Sequence, residues 1–174
     1  MAHRQVRPGV AADAEALTEL SRTTFLETYA VHNTPEDMAL YLRQSLTVGQ
    51  WADILANPDH LVLVLEDGNG LAGYAELRQG FVPDSVKTAV PIELSRFYLR
   101  KDRFGQGLGT VLMNAVVGAA QARASSAIWL GVWQKNERAV AFYRKSGFEV
   151  VGTQVFPLGK DLQDDWIMMK ALTT

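Results

Sequence analysis

The stretch Phe97-Tyr98-Leu99-Arg100-Lys101-Asp102-Arg103-Phe104-Gly105-Gln106-Gly107-Leu108-Gly109-Thr110 decides how this chain is read. A strand-like apolar run ends at Leu99, a short basic connection follows, and three glycines then alternate with Gln106 and Leu108. From Leu108 onward apolar residues recur at helical spacing, with Leu108, Leu112, Ala115, Val116 and Ala119 on one face. Strand, glycine loop and helix start together make an anion site. Glycines let the backbone approach a ligand closely, and the free N–H groups and positive dipole of a helix N-terminus point at a phosphate. The plainer reading is a glycine-rich turn that only joins strand to helix, because short glycine motifs are weakly specific.

Two common phosphate loops are excluded by spacing. A dinucleotide fingerprint reads Gly-x-Gly-x-x-Gly, but Thr110 holds the third glycine place and Gly109 comes one residue early. That fingerprint also carries an acidic residue ~20 positions further on, whereas the next acidic residue after Gly109 is Glu137. A nucleoside-triphosphate loop ends in Gly-Lys-Ser/Thr, and Gly109-Thr110-Val111 supplies no lysine.

Outward from this stretch, the 174 residues suit one domain with a sizeable core, spanning 1–174. Apolar content of 48% and charged content of 21% belong to an ordinary globular protein. The longest aliphatic run, Leu61 to Leu65, is far short of a membrane span. The first residues, Met1 to Pro8, contain no apolar signal region, so a cytoplasmic protein is expected. The absence of cysteine removes disulfides, thiolate metal sites and a cysteine nucleophile. His3, His32 and His60 are scattered without ligand-spaced partners, so no metal is expected.

A net charge of −2 argues against non-specific nucleic-acid binding. Its distribution is lopsided: residues 1–95 hold 6 Lys/Arg against 13 Asp/Glu, and residues 96–174 hold 11 against 6. A basic half suits a polyanionic cofactor and an acidic half a cationic substrate, although solvated faces also differ in sign by chance.

The remaining chain alternates strand and helix patterns. Residues 4–7 form a short strand; Asp13 to about Tyr29 forms a helix with Leu17, Leu20, Thr24 and Phe25 inward. Thr34-Pro35-Glu36-Asp37 starts a second helix, with a Thr N-cap, Pro at the first position and Asp37 at the capping-box place, ending near Leu46. A third helical segment covers Val48 to Ala56. His60–Glu66 and Leu71–Gln79 form a hairpin across Asp67-Gly68-Asn69-Gly70. Pro91–Leu99 is a strand expected to be buried on both faces, Leu108–Arg123 a helix and Ala127–Trp133 another apolar strand. Asn136 caps a helix running to Ser146 and stopped by Gly147; Phe148–Phe156 and Asp165–Leu172 close the chain as two strands joined by a turn containing Pro157 and Gly159. Mixed strands and helices without an internal repeat indicate one α/β (α+β) layer fold.

The strand–loop–helix at 91–123, followed by Ile128-Trp129-Leu130-Gly131-Val132-Trp133-Gln134-Lys135-Asn136-Glu137-Arg138-Ala139-Val140-Ala141-Phe142-Tyr143-Arg144-Lys145-Ser146-Gly147-Phe148, resembles the GNAT superfamily of acetyl-CoA-dependent N-acetyltransferases. Phe25-Leu26-Glu27-Thr28-Tyr29, Asn33-Thr34-Pro35-Glu36-Asp37 and Asp165-Trp166-Ile167-Met168-Met169 resemble its bacterial polyamine (spermidine/spermine) branch. The resemblance implies a mixed, curved sheet of six to seven strands that splays near its middle, flanked by helices on both faces, with acetyl-CoA in the cleft. It places the backbone of Phe97 and Leu99 against the pantetheine arm, and the amides of Gly105, Gln106, Gly107, Leu108, Gly109 and Thr110 on the pyrophosphate. Asn136 meets the pantetheine side and Tyr143 the thioester sulfur. The family carries Arg or Gln directly before the first loop glycine; Phe104 stands there in this chain, and Arg103 lies one place earlier.

Acetyl transfer to an amine needs a neutral nucleophile, a polarised carbonyl and a proton for the leaving thiolate. The phenol of Tyr143, ordinarily near pKa ~10, can donate to a thiolate of ~8.5; beside Phe142 it can equally be packing. Glu93, the acidic residue inside an apolar strand leading to the cleft, is the candidate base, and burial would raise its pKa; pairing with Arg96 or a place at a strand edge is the alternative. The amide of Leu99 is the candidate donor to the carbonyl oxygen. Glu27, Glu36 and Asp37 are candidate contacts for a polycation, although Glu36 and Asp37 also favour a helix start. Trp129 and Trp133 share a strand face and are expected in the core. The readings are a polyamine N-acetyltransferase; the same chemistry on a protein N-terminus, amino acid or aminoglycoside; and a non-catalytic acyl-CoA-binding module. A homodimer follows from the family alone, and neither nucleic acid nor membrane is an expected partner.

Overall fold

The computed structural model describes residues 3–173. Strand β1 (Gln5–Pro8) is followed by helices α1 (Ala14–Tyr29), α2 (Pro35–Gln44) and α3 (Val48–Ala56), then β2 (His60–Glu66), β3 (Leu71–Arg78) and β4 (Pro91–Leu99). Helix α4 (Leu108–Ala122), β5 (Ala127–Trp133), α5 (Glu137–Lys145), β6 (Glu149–Leu158) and β7 (Asp161–Ala171) complete the chain. The seven strands make one sheet in the order β1-β2-β3-β4-β5-β7-β6. Every neighbouring pair is antiparallel except β4 and β5. That single parallel pair is joined by α4, as a parallel connection requires a crossover.

The helix starts are set by the residues expected to set them. Thr34 Oγ1 accepts the Asp37 amide at 3.2 Å with Pro35 at the first helical position, and Asn136 Oδ1 accepts the Ala139 amide at 3.2 Å. Asp37 does not close a capping box. Its Oδ1 takes the Lys160 amide at 2.9 Å and so ties α2 to the β6–β7 turn. That hairpin is longer than the sequence suggests: Pro157 lies inside β6, opposite Leu162, and the turn is Gly159-Lys160. A proline fits there because β6 is an edge strand, where a missing N–H leaves no ladder bond unmade.

Both faces of the sheet are covered. On one, α4 and α5 pack on Leu65, Ile92, Leu130 and Met168 through Leu112, Val116 and Tyr143. On the other, α1, α2 and α3 pack through Leu17, Phe25, Leu42 and Trp51 onto Val64 and Tyr74. Between β2, β3 and β4 the fully buried carboxylate of Glu76 accepts from His60 Nδ1 at 2.7 Å and pairs with Arg96, whose guanidinium lies 5.4 Å from the Trp51 ring. A buried carboxylate left unpaired would cost several kcal/mol (about 3–5), so this pair fixes the register of the central strands. Strand β4 is not buried on both faces throughout: only Ile92 and Leu94 are buried, and every residue from Ser95 to Leu99 is half-buried. The cause is the opening described next.

Candidate active site

The site begins where two strands part. In the β3–β4 ladder Glu76 faces Arg96 but Leu77 faces Leu94, so Ser95 is an extra residue that bends β4. Strand β4 pairs with β5 only over Pro91–Glu93 against Ala127–Trp129. Beyond Glu93 it keeps β3 alone, while β5 stays paired with β7 as far as Trp133 opposite Asp165. The Arg100 amide donates to Ala72 of β3 at 2.9 Å, so by alternation the amides of Phe97 and Leu99 point the other way, into the gap. A cleft of about 330 Å³ fills that gap, walled by β4, the glycine loop, Gly131 and Val132 of β5, the first part of α5 and Tyr29 of α1.

The glycine loop forms one mouth of the cleft. Gly105 and Gly107 have φ of 75° and 76°, left-handed conformations that glycine adopts without a Cβ penalty. Among the described residues, no amide from Gly105 through Thr110 donates to a main-chain carbonyl, and the first bond of the helix is Val111 to Gly107 at 3.2 Å. This leaves a row of free donors at the positive end of α4, the chemistry a diphosphate needs. Gly105, Gly107, Leu108, Gly109 and Thr110 line the cleft; Gln106 does not, and its side chain bonds back to Asp102 O at 3.3 Å.

A cation is supplied from an unexpected place. Arg103 is committed to Asp67 and, at 3.0 Å, to Asp102, and it holds the Asp67 carboxyl below the usual range. Arg138, on the first turn of α5, instead lays its guanidinium 3.8 Å from the ring centre of Phe104, and both residues line the cleft. Arg138 thus brings a cation to the mouth of the cleft beside position 104.

On the opposite wall stand Asn136, Phe142 and Tyr143. Asn136 uses Oδ1 for its cap, which leaves its amide nitrogen for a ligand. Tyr143 is 8% exposed and touches Phe97, Phe142 and Phe148 by ring edges. Burial lifts its phenol well above the ordinary value, so the group stays protonated through any working pH.

Other predicted residues lie elsewhere. Glu93 is not brought to the cleft: the register sets it opposite Arg78, whose Nε donates to it at 2.5 Å and Nη2 at 3.2 Å. Glu27 accepts the Lys101 amide at 2.9 Å and anchors the connection after β4; Asp37 holds Lys160; Glu36 is exposed on α2. Trp129 is core, packed with Val86 and Ile167, whereas Trp133 meets Tyr29 and His32 at ring distances of 5.5 and 5.2 Å. The acceptor side of the cleft is therefore built by residues the sequence did not single out for the site. Tyr29 and Tyr98, whose hydroxyls are 3.5 Å apart, line it. Asp165 lies behind Gly131, where burial pushes its carboxyl up to about 6. No sequence spacing links Arg138 to Phe104 or Asp165 to Tyr29.

A model of the acetyltransferase (GNAT) family matches residues 15–148. The chain belongs to the GNAT family. This acetyltransferase is 32% identical over 160 residues to an uncharacterized N-acetyltransferase of Lactobacillus delbrueckii subsp. lactis, covering 92% of each chain. Its fold is like that of the PaiA N-acetyltransferase of Thermoplasma acidophilum, solved with coenzyme A (TM-score 0.78, 23% identity, 97% and 99% of the two chains). It is also like a putative acetyltransferase of Salmonella typhimurium solved with acetyl-CoA (TM-score 0.70, 21% identity, 99% and 95%). The splayed, seven-stranded sheet is thus the GNAT fold, and as a member of this family the enzyme draws its acetyl group from acetyl-CoA. Among the described residues no helix is long and apolar enough to cross a membrane.

Proposed function

We propose that the enzyme acetylates a primary amine of a small polycation of the spermidine or spermine type, with Tyr143 as proton donor to the departing thiolate. The observation that carries the reading is the position of the Tyr143 phenol, buried, protonated and in the same cleft as the free amides of the glycine loop. A module that only bound acyl-CoA would need no such donor.

Acetyl-CoA fits the residues present. The amides from Gly105 to Thr110 hold the diphosphate, with Arg138 adding charge; the inward amides of Phe97 and Leu99 and the nitrogen of Asn136 take the pantetheine arm. The Leu99 amide also serves as donor to the thioester carbonyl oxygen, where a pre-aimed N–H stabilises developing charge. A phenol pushed up by burial is a reluctant acid in water, but the same dry surroundings raise the thiol it serves.

For the acceptor, negative charge on β7 favours a cation: Asp164 is exposed next to the buried carboxylate of Asp165. The aromatic walls of Tyr29 and Tyr98 suit an alkylammonium chain. The test is thiol release from acetyl-CoA with spermidine, spermine, an amino acid, an aminoglycoside and a peptide N-terminus. Turnover highest with the polyamines is expected; turnover with another class alone overturns the substrate assignment, and none at all despite CoA binding overturns the enzyme.

A further inference from the structure

We infer that Asp165 is the base that takes the proton from the acceptor ammonium, a role that rests on the amine-acetylation reading above. Three geometric facts place it. Asp165 lies on β7 directly opposite Trp133, at the end of the β5–β7 ladder where the cleft passes through the sheet. A Cβ built on Gly131, which lines the cleft, would lie 3.3 Å from Asp165 Oδ2 and would run into the Gln154 amide, so the carboxylate lies directly behind this part of the cleft wall with no side chain between them but Gln154. Asp165 shares its surroundings with Tyr29 and Tyr98, the phenols that line the acceptor side.

The neighbours suit a proton acceptor. The Gln154 side chain of β6 lies beside the carboxylate and lowers its pKa less than burial raises it. Tyr29 of α1 and Tyr98 of β4 are both lifted by burial and stay neutral; Asp164 adds negative charge; His32 and Lys135 lie against the Trp133 ring, at 5.2 and 5.9 Å from its centre. A carboxylate without a salt-bridge partner, raised to about 6 by desolvation, is ionised at neutral pH yet basic enough to accept a proton. Glu93 cannot do this, since Arg78 occupies it.

The step balances as follows. The ammonium gives one proton to Asp165, which releases it to solvent. The freed nitrogen lone pair bonds to the thioester carbonyl carbon, and the tetrahedral adduct collapses with cleavage of the C–S bond. The departing sulfur takes a proton from Tyr143, and the tyrosinate recovers the second proton shed by the acylated nitrogen. One amide, one thiol and one solvent proton result.

The test uses Asp165→Asn, an isosteric change, assayed with the best amine from the panel above so that a wrong acceptor class does not void it. Calorimetry with CoA verifies folding and an unchanged cofactor site. At pH 7, kcat/KM for the amine is expected to fall about 100-fold, the usual reach of a general base. The wild-type profile should have an acid limb near 6 and level off above it. The variant should instead keep rising with pH, about tenfold per unit as free amine accumulates. Gly131→Ala, which crowds Asp165 and Gln154 without removing the carboxylate, should also lower kcat/KM for the amine. An Asp165→Asn variant with wild-type kcat/KM and an unmoved acid limb overturns the assignment. So does a loss that scales with lost CoA binding, since that is a structural effect.

Discussion

The guanidinium of Arg138 stacks on the ring of Phe104 at 3.8 Å, joining the start of α5 to the glycine loop across the mouth of the cleft. This contact sets a cation beside Phe104, the residue directly before the first loop glycine. Arg138→Ala should therefore weaken CoA by about 1 kcal/mol, roughly fivefold in Kd, and leave kcat with saturating acetyl-CoA near wild type. Calorimetry with CoA at low and high salt checks it, and a Kd that does not move shows that Arg138 only packs.

Tyr143→Phe keeps the ring contacts with Phe97, Phe142 and Phe148 and deletes only the proton donor. Turnover should drop by about 100-fold with CoA affinity unchanged. Because burial raises this phenol, the wild-type rate should show no basic limb assignable to it near pH ~10. An equal rate for the variant removes Tyr143 from the chemistry.

Gly107→Ala forces a Cβ into a left-handed conformation of φ 76° with no compensating contact, at a cost of about 1–2 kcal/mol. Gly107→Asn tolerates that conformation better. The expected order of both thermal stability and CoA affinity is Gly, then Asn, then Ala; Ala equal to Gly by calorimetry refutes the loop geometry.

Asp165 should show a trade between stability and activity. Its folded pKa of about 6 lies above the ordinary value of ~3.9, so folding takes up a proton between these values. Stability from this group is full below pH ~4 and is lost as pH rises through about 6. Asp165→Asn should therefore be more stable than wild type at pH 7, by about 2 kcal/mol in urea unfolding, and equal to it near pH ~4.

Asp13 should show the reverse sign. Arg7 donates to both its oxygens at 2.8 and 3.0 Å and holds the carboxyl below the usual range while bridging to Glu66. Its contribution is present above the unfolded pKa and lost as pH falls through the folded one. Asp13→Asn should cost about 2 kcal/mol at pH 7, a gap that closes in acid.

Local signals in the chain were legible because their cause is local. The caps at Thr34 and Asn136, the hairpin across Asp67–Gly70 and the free amides of Gly105–Thr110 depend on residues within four or five positions of one another. Asp37 was half legible: its place at a helix start is local, but its bond to Lys160 spans the chain. Glu93 misled for a related reason. An acidic residue in an apolar strand looks buried and free, and only the β3 register reveals Arg78 beside it.

By itself the sequence determined the order of elements, the glycine loop and the Asn136–Tyr143 helix, since helical spacing, glycine freedom and capping act over one or two turns. The tertiary structure alone decided which wall each charge faces. The bulge at Ser95 and the three-residue β4–β5 pairing open the cleft, the β5–β7 register sets Asp165 beside Gly131, and Arg138 meets Phe104 only in the folded chain. The reason is physical: a sheet's register is a property of paired strands, and residues far apart in the chain acquire neighbours only once that pairing is made.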